Sequence, residues 1–180
     1  MTRAHGTDAA RLMAKLGIAH ETDAPLGPLT WYGVGGKAEV LAHPRDEREL
    51  ATLITACREA GAPVHVLGEG ANLLVADAGV PGVVVRLDAA AFRTIDIEGT
   101  TVSAGGGASL AKVIIATARA GLAGLEVLAG IPASIGGAVR MNCGGRYGEI
   151  RQVIRDADVV TPTGERRTLD RAALGLDYRR

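Results

Sequence analysis

The chain has 180 residues, a length at which folding should bury about 70% of the surface that the unfolded chain exposes, enough for a real core in one domain or two small ones. Hydrophobic residues make up 47% and charged residues 22%, which excludes a disordered tail or a fibre, and no apolar run approaches the roughly 18 residues of a membrane helix. Lys and Arg together number 20, as do Asp and Glu, so no net field draws the chain to nucleic acid or to an anionic membrane, and neither is expected as a partner.

A first helix is expected over residues 7–18, where Ala9, Leu12, Met13 and Leu16 share a face and Gly17 stops it. Residues 24–36 hold too much proline and glycine for regular structure. Ala38 to His43 reads as a strand ended by Pro44. Asp46 then caps a helix, with Glu49 in capping-box position and Leu50, Leu53, Ile54 and Cys57 as its apolar stripe. Val64 to Leu67 follows as a short strand, so strand, helix and strand form a parallel crossover unit. After Gly68, the runs Leu73 to Val75, Val83 to Leu87, Arg93 to Ile97 and Thr101 to Ala104 read as a meander. A helix is expected from Ser109 to about Ala120. Glycines and Pro132 reduce residues 121–148 to helical turns, and Val153 to Thr161 with Arg166 to Leu169 reads as a hairpin. A last helical turn, Asp170 to Leu174, precedes the end. The change of pattern near Asp88 marks a lobe boundary.

The 25 glycines are about twice the usual share, which calls for positive φ or close backbone approach at many points. Gly68-Glu69-Gly70-Ala71-Asn72-Leu73 directly follows a strand, where successive amides can converge on a phosphate. It is either such a cradle or a plain turn. The Rossmann fingerprint needs glycine where Leu73 stands and a helix beyond it, so that reading fails. Gly105-Gly106-Gly107 precedes a helix, and is either a second ligand-facing turn or a flexible connection. Gly130-Ile131-Pro132-Ala133-Ser134-Ile135-Gly136-Gly137-Ala138 combines a fixed φ with free ones, as a shaped wall would. With aromatics at only 3%, a flat ring would be held mainly by backbone and aliphatic groups.

Residues 25–36, Leu67 to Val75, Gly124-Leu125-Glu126 with Gly130 to Ala138, Met141-Asn142 and Tyr147-Gly148 stand in an order and spacing that closely resembles the UDP-N-acetylenolpyruvoylglucosamine reductases, from about residue 20 onward. The resemblance implies an α+β, two-lobed FAD-binding fold of the vanillyl-alcohol oxidase (PCMH) type. In it a small parallel crossover lobe and an antiparallel meander lobe clamp the flavin. It divides the chain into an N-terminal helical segment (1–23), a first lobe (24–88) and a second lobe (89–180). The family's substrate domain, with its serine and glutamate, has no counterpart in these residues.

The same resemblance implies FAD contacts from Leu67, Gly68, Glu69, Gly70, Ala71, Asn72 and Leu73 at the pyrophosphate, and from Gly130, Ile131, Pro132, Ala133, Ser134, Ile135 and Gly137 along the flavin ring. Related oxidases tether FAD through a histidine in the first loop. Ala71 and its neighbours offer none, so the flavin is expected to be non-covalent. Ala71 stands where serine is common in the family, and Ala133 where glycine is usual. NADPH is implied as hydride donor, the UDP-sugar as substrate, Arg179 as the catalytic guanidinium facing the charge that develops toward the substrate carboxylate, and Tyr178 as its neighbour on the substrate. The flavin domain of another oxidoreductase in the superfamily, or a non-catalytic flavin module, stays open beside this reading.

The remaining residues are read more simply. His5, His20, His43 and His65 have no ligand spacing, so no metal is expected. Cys57 belongs to a helix stripe, Cys143 either faces flavin or fills space, and Glu126 is expected to bond backbone in its own loop. Two cysteines and no secretory leader point to a reduced, cytoplasmic protein, with a monomer as the expected state.

Overall fold

The computed structural model describes residues 5–176. Helix α1 (His5–Leu16) ends at Gly17, whose φ is +68°, and leads to strand β1 (Ala19–Pro25). A short 3₁₀ turn precedes β2 (Lys37–His43), then come α2 (Glu47–Glu59), β3 (Val64–Leu67) and β4 (Val80–Arg86). These strands make one sheet in the order β1-β2-β4-β3, with β1 antiparallel to β2, and β4 parallel to both β2 and β3. Val83 and Val85 pack on one face with Ala9, Met13, Leu53 and Cys57. Val84 packs on the other face with Leu41, Leu67 and Leu26. Burial on both faces is why this strand reads as an unbroken apolar run.

Three expectations are corrected here. Residues 19–25 form a strand although His20-Glu21-Thr22-Asp23 is polar, because β1 is an edge strand held by its backbone ladder to β2. Val83 to Leu87 is the middle of the parallel sheet and no part of a meander. Leu73 to Val75 is not a strand: it lies in the crossover loop that carries the chain from β3 to its parallel neighbour β4. That loop is pinned to residues 26–36 by Trp31 N donating to Gly70 O at 3.2 Å and Gly36 N donating to Ala76 O at 3.0 Å.

The register slips between Ala38/Val80 and Val40/Val83. The extra residue falls at Pro81-Gly82, where Gly82 has φ +80° and its amide donates to the Glu39 carboxylate at 2.7 Å. Beside this bulge Ala38 joins the core cluster of Leu41 and Val84, and Val40 that of Val83 and Val85. Asp46 caps α2 as expected, accepting from Glu49 N at 2.9 Å. The reciprocal half of the box is shifted by one residue, since the Glu49 carboxylate accepts from Arg45 N and from the Arg45 guanidinium instead.

Beyond a 3₁₀ turn at Ala90–Phe92 the second lobe begins with the hairpin β5 (Ile95–Glu98) and β6 (Thr101–Ala104), then α3 (Leu110–Arg119). The glycine-rich stretch carries a 3₁₀ turn at Glu126–Leu128, the short α4 (Ile135–Arg140) and a ribbon of β7 (Gly144–Gly145) with β8 (Gly148–Glu149). The expected last hairpin is β9 (Asp156–Val160) with β10 (Arg166–Asp170), followed by the turn in which Leu174 N donates to Asp170 O. Among the described residues the strands after β4 thus form three separate two-stranded ribbons in place of the expected meander. Leu110, Leu128, Ala138 and Ile150 form a core of their own, which sets the second lobe apart.

Candidate dinucleotide site

A cavity of about 410 Å³ opens at the carboxyl ends of β3 and β4, the end of a parallel sheet where ligands of open α/β folds collect. The first wall is Val66 to Glu69, continuing β3, and the second is Arg86, Leu87 and Asp88, continuing β4, with Arg93 beyond. The facing wall comes from the second lobe: Gly106, Gly107, Ser134, Gly136, Gly137 and Arg140.

The lobes meet backbone to backbone, and glycine makes this possible. A Cβ on Gly107 would collide with the Leu87 carbonyl, and one on Gly68 would stand 2.5 Å from Ser134 Oγ. Gly136 N donates to Gly106 O at 2.8 Å, and Ile135 N to Ala108 O at 2.8 Å. Ser134 caps α4 by accepting from Gly137 N at 3.2 Å. Gly105-Gly106-Gly107 is therefore a close-packed crossing, and the flexible-connection alternative falls away.

Two properties of the cavity bear on its guest. The amides of Gly68 to Asn72 have no hydrogen-bond acceptor among the described residues, so this turn has donors to spare. Arg86, Arg93 and Arg140 make no ion pair among the described residues. Guanidinium groups and surplus amides around one cleft suit a dianionic linkage such as a pyrophosphate. Among the described residues no aromatic side chain lines it. Among the described residues no three His, Cys, Asp or Glu side chains gather to hold a metal, and no helix is long and apolar enough to cross a membrane.

Of the residues singled out from the sequence, Leu67, Gly68, Glu69, Ser134 and Gly137 line the cavity. Gly70 does not: at φ +67° a Cβ there would strike Leu29 O and lie 2.8 Å from Thr30 Cα, so this glycine seats the loop on residues 29–30. Asn72 and Leu73 are exposed along the crossover loop. Ile131, Ala133 and Ile135 pack against the second-lobe core, while Gly130 and Pro132 shape the turn before Ser134. Tyr178 and Arg179 lie outside the described residues. Cys143 packs on the same core and away from the cavity, with its thiol pushed up by burial. The Glu126 carboxylate accepts from Gly124 N in its own loop. Sequence reasoning missed Arg86, Asp88, Arg93 and Arg140. The available signal was a polar Arg-Leu-Asp directly after an apolar strand.

A family model described as FAD binding domain matches residues 38–170, three quarters of the chain and every wall of the cavity. The chain belongs to the FAD binding domain family. This FAD binding domain is 50% identical over 158 residues to UDP-N-acetylenolpyruvoylglucosamine reductase of Parvibaculum lavamentivorans, covering 87% of the chain and 50% of that protein. The crystal structure of the Thermus caldophilus enzyme (MurB) matches with a TM-score of 0.76 and 40% identity, over 90% of the chain and 55% of that chain. Cholesterol oxidase from B. sterolicum, 18% identical with a TM-score of 0.69 over 86% of this chain and 33% of its own, shows the fold alone. It is the α+β fold of the vanillyl-alcohol oxidase type expected above. The FAD binding domain spans about half the length of the curated relatives it matches.

Proposed function

We propose that the chain is the flavin-carrying part of a UDP-N-acetylenolpyruvoylglucosamine reductase, which makes UDP-N-acetylmuramate for peptidoglycan precursor synthesis. The observation that carries this is the arginine-lined cavity at the carboxyl ends of β3 and β4, in a chain 50% identical to an enzyme of that name. When bound, the flavin supplies the hydride that reduces the enolpyruvyl double bond, NADPH having furnished it. The chain's own residues bind and orient. The free amides of Gly68 to Asn72, with Leu67 and Leu73 at the ends of the turn, meet the pyrophosphate, and Arg86 and Arg140 balance its charge across the cleft. The turn from Gly130 to Gly137 borders the ring and excludes water from it, its Ile131 and Ile135 anchored in the core beneath. Arg179, beside Tyr178, serves as the guanidinium that stabilises charge building toward the substrate carboxylate. The cofactor is non-covalent, the working compartment is the cytoplasm and the working state is a monomer.

Titration of the purified chain with FAD tests this directly. Saturable binding, with intact FAD released on denaturation, is expected. A folded chain that binds no FAD removes the reading, and flavin retained by denatured protein removes its non-covalent part. Joined to a family substrate domain and kept without oxygen, the chain should have its bound flavin bleached by NADPH and its colour restored by the UDP-sugar, whereas these residues alone should bind FAD without useful turnover of the UDP-sugar. Restoration by oxygen alone would move the chain to the oxidases.

A further inference from the structure

The two lobes keep separate apolar cores, clusters on the two faces of the sheet in the first and one around Leu110 and Leu128 in the second. At the cavity they touch through glycines, Gly107 against Leu87 and Gly68 against Ser134. A second junction lies on α2. Glu47, Ala51 and Thr55 stand four residues apart and share one row of this helix, beside its core stripe, and the hairpin of β9 and β10 is laid along that row. The hairpin tip is closed by its own bonds, Thr161 N donating to Glu165 O and Gly164 N to Thr161 O, both at 2.8 Å. Gly164, at φ +80°, sits on the helix so closely that a Cβ would collide with Thr55 Oγ1 and lie 3.0 Å from Ala51 O. The Thr55 hydroxyl donates to Thr163 O at 3.4 Å. At the other end of the row Arg166 Nε lies 3.2 Å from Glu47 Oε1, while its second arm holds Asp158 at 2.7 Å. None of these residues lines the cavity.

We propose that this hairpin is a latch that holds the second lobe at the spacing the cleft requires, so that latching and FAD binding favour each other, an inference that rests on the FAD reading above. The facing walls of the cavity belong to different lobes, so its width is set by how far apart the lobes stand. Contact at the cavity alone leaves one lobe free to rock on the other, and contact at a second, separate place removes that freedom. The latch consists of an exposed ion pair, one hydrogen bond and a glycine seat, and such contacts are weak singly. It can therefore open, and a dinucleotide that touches both walls holds it shut. By linkage, a latch already shut improves the affinity for the dinucleotide by the same factor.

Glu47→Arg tests the latch from α2 and Gly164→Val from the hairpin, with FAD affinity measured by calorimetric titration. Glu47→Arg sets two guanidinium groups against each other and should bind FAD about 3- to 10-fold more weakly at low salt. The loss should shrink at high salt, where the repulsion is screened. Added positive charge would by itself strengthen the binding of an anion, so the general field cannot produce this loss. Glu47→Asp, which keeps the carboxylate, should retain most of the affinity. Gly164→Val should weaken FAD at least as much as Glu47→Arg, and the double variant should lose no more than the more affected single one, because an open latch cannot be opened again. Unaltered affinity in Glu47→Arg, a loss that salt leaves unchanged, or losses that add in the double variant overturn the proposal, and the first two decide it even if Gly164→Val does not fold. Failure of the unsubstituted chain to bind FAD overturns the FAD reading, whereas FAD binding indifferent to these substitutions overturns this inference alone.

Discussion

Gly61 and Gly70 share the same backbone angle, φ +67°, and differ only in what surrounds them. A Cβ on Gly61 would meet nothing within 4 Å, whereas one on Gly70 would collide with Leu29 O and come within 2.8 Å of Thr30 Cα. Gly61→Ala therefore isolates the left-handed strain, about 1–2 kcal/mol. Gly70→Ala carries that strain plus an overpacking cost of about 1–3 kcal/mol, because the obstruction is backbone and cannot rotate away. At roughly 2–4 °C per kcal/mol for a domain of this size, Gly70→Ala should melt about 2–12 °C below Gly61→Ala. Thermal unfolding followed by circular dichroism without any ligand measures the difference. Equal shifts would refute the seating of the glycine turn on residues 29–30. A loss of FAD affinity by Gly70→Ala with unchanged melting would likewise refute the seating, and would leave that glycine with a part at the phosphate alone.

Asp46→Ala should destabilise the chain by about 1 kcal/mol through its cap on Glu49 N, and Asp46→Asn by much less, as urea unfolding would show. The hydroxyl of Thr168 and the guanidinium of Arg166 hold the Asp158 carboxyl below its ordinary range. The stability this gives is present above the ordinary carboxylate pKa and fades as pH falls from there through the depressed native value. Thr168→Val should raise the Asp158 pKa in a carbon-detected NMR titration, and an unmoved titration would count against the contact. Burial pushes the thiols of Cys57 and Cys143 up, so native protein at neutral pH should react with a disulfide reagent far more slowly than unfolded protein; prompt modification of Cys57 would contradict its complete burial. Arg86→Met should weaken FAD about 10-fold and flatten the dependence of binding on salt.

The elements whose pattern is local were legible in the sequence. Helix α2 was, because Asp46 marks its start and Leu50, Leu53, Ile54 and Cys57 mark its face. Strand β1 was not, since its polar residues carry no alternation and its existence depends on the edge that β2 offers. Leu73 and Leu74 have strand-like composition, yet Leu74 is 73% exposed in the crossover loop: the chain there must travel to a distant partner, and topology overrides propensity. The same cause hid half of the cavity. The glycine turn at Gly68 announces itself locally, and the resemblance pointed to it. Arg86 and Asp88 become neighbours of that turn only because β4 lies beside β3, and Arg140 reaches it only through the packing of the second lobe.

The position of β4 also dictates an order of events in synthesis. β1 and β2 are successive and can pair as soon as both exist. β3 cannot do likewise, because among the described residues its one partner is β4, and the whole glycine-bearing crossover must be made first. Until Arg86 has been added, the apolar faces of Val64 and Leu67 have no ladder to join, so the sheet closes late and through contacts distant in sequence, the slow kind. The waiting strand is protected by its brevity, four residues, which gives a stray chain little edge to bind.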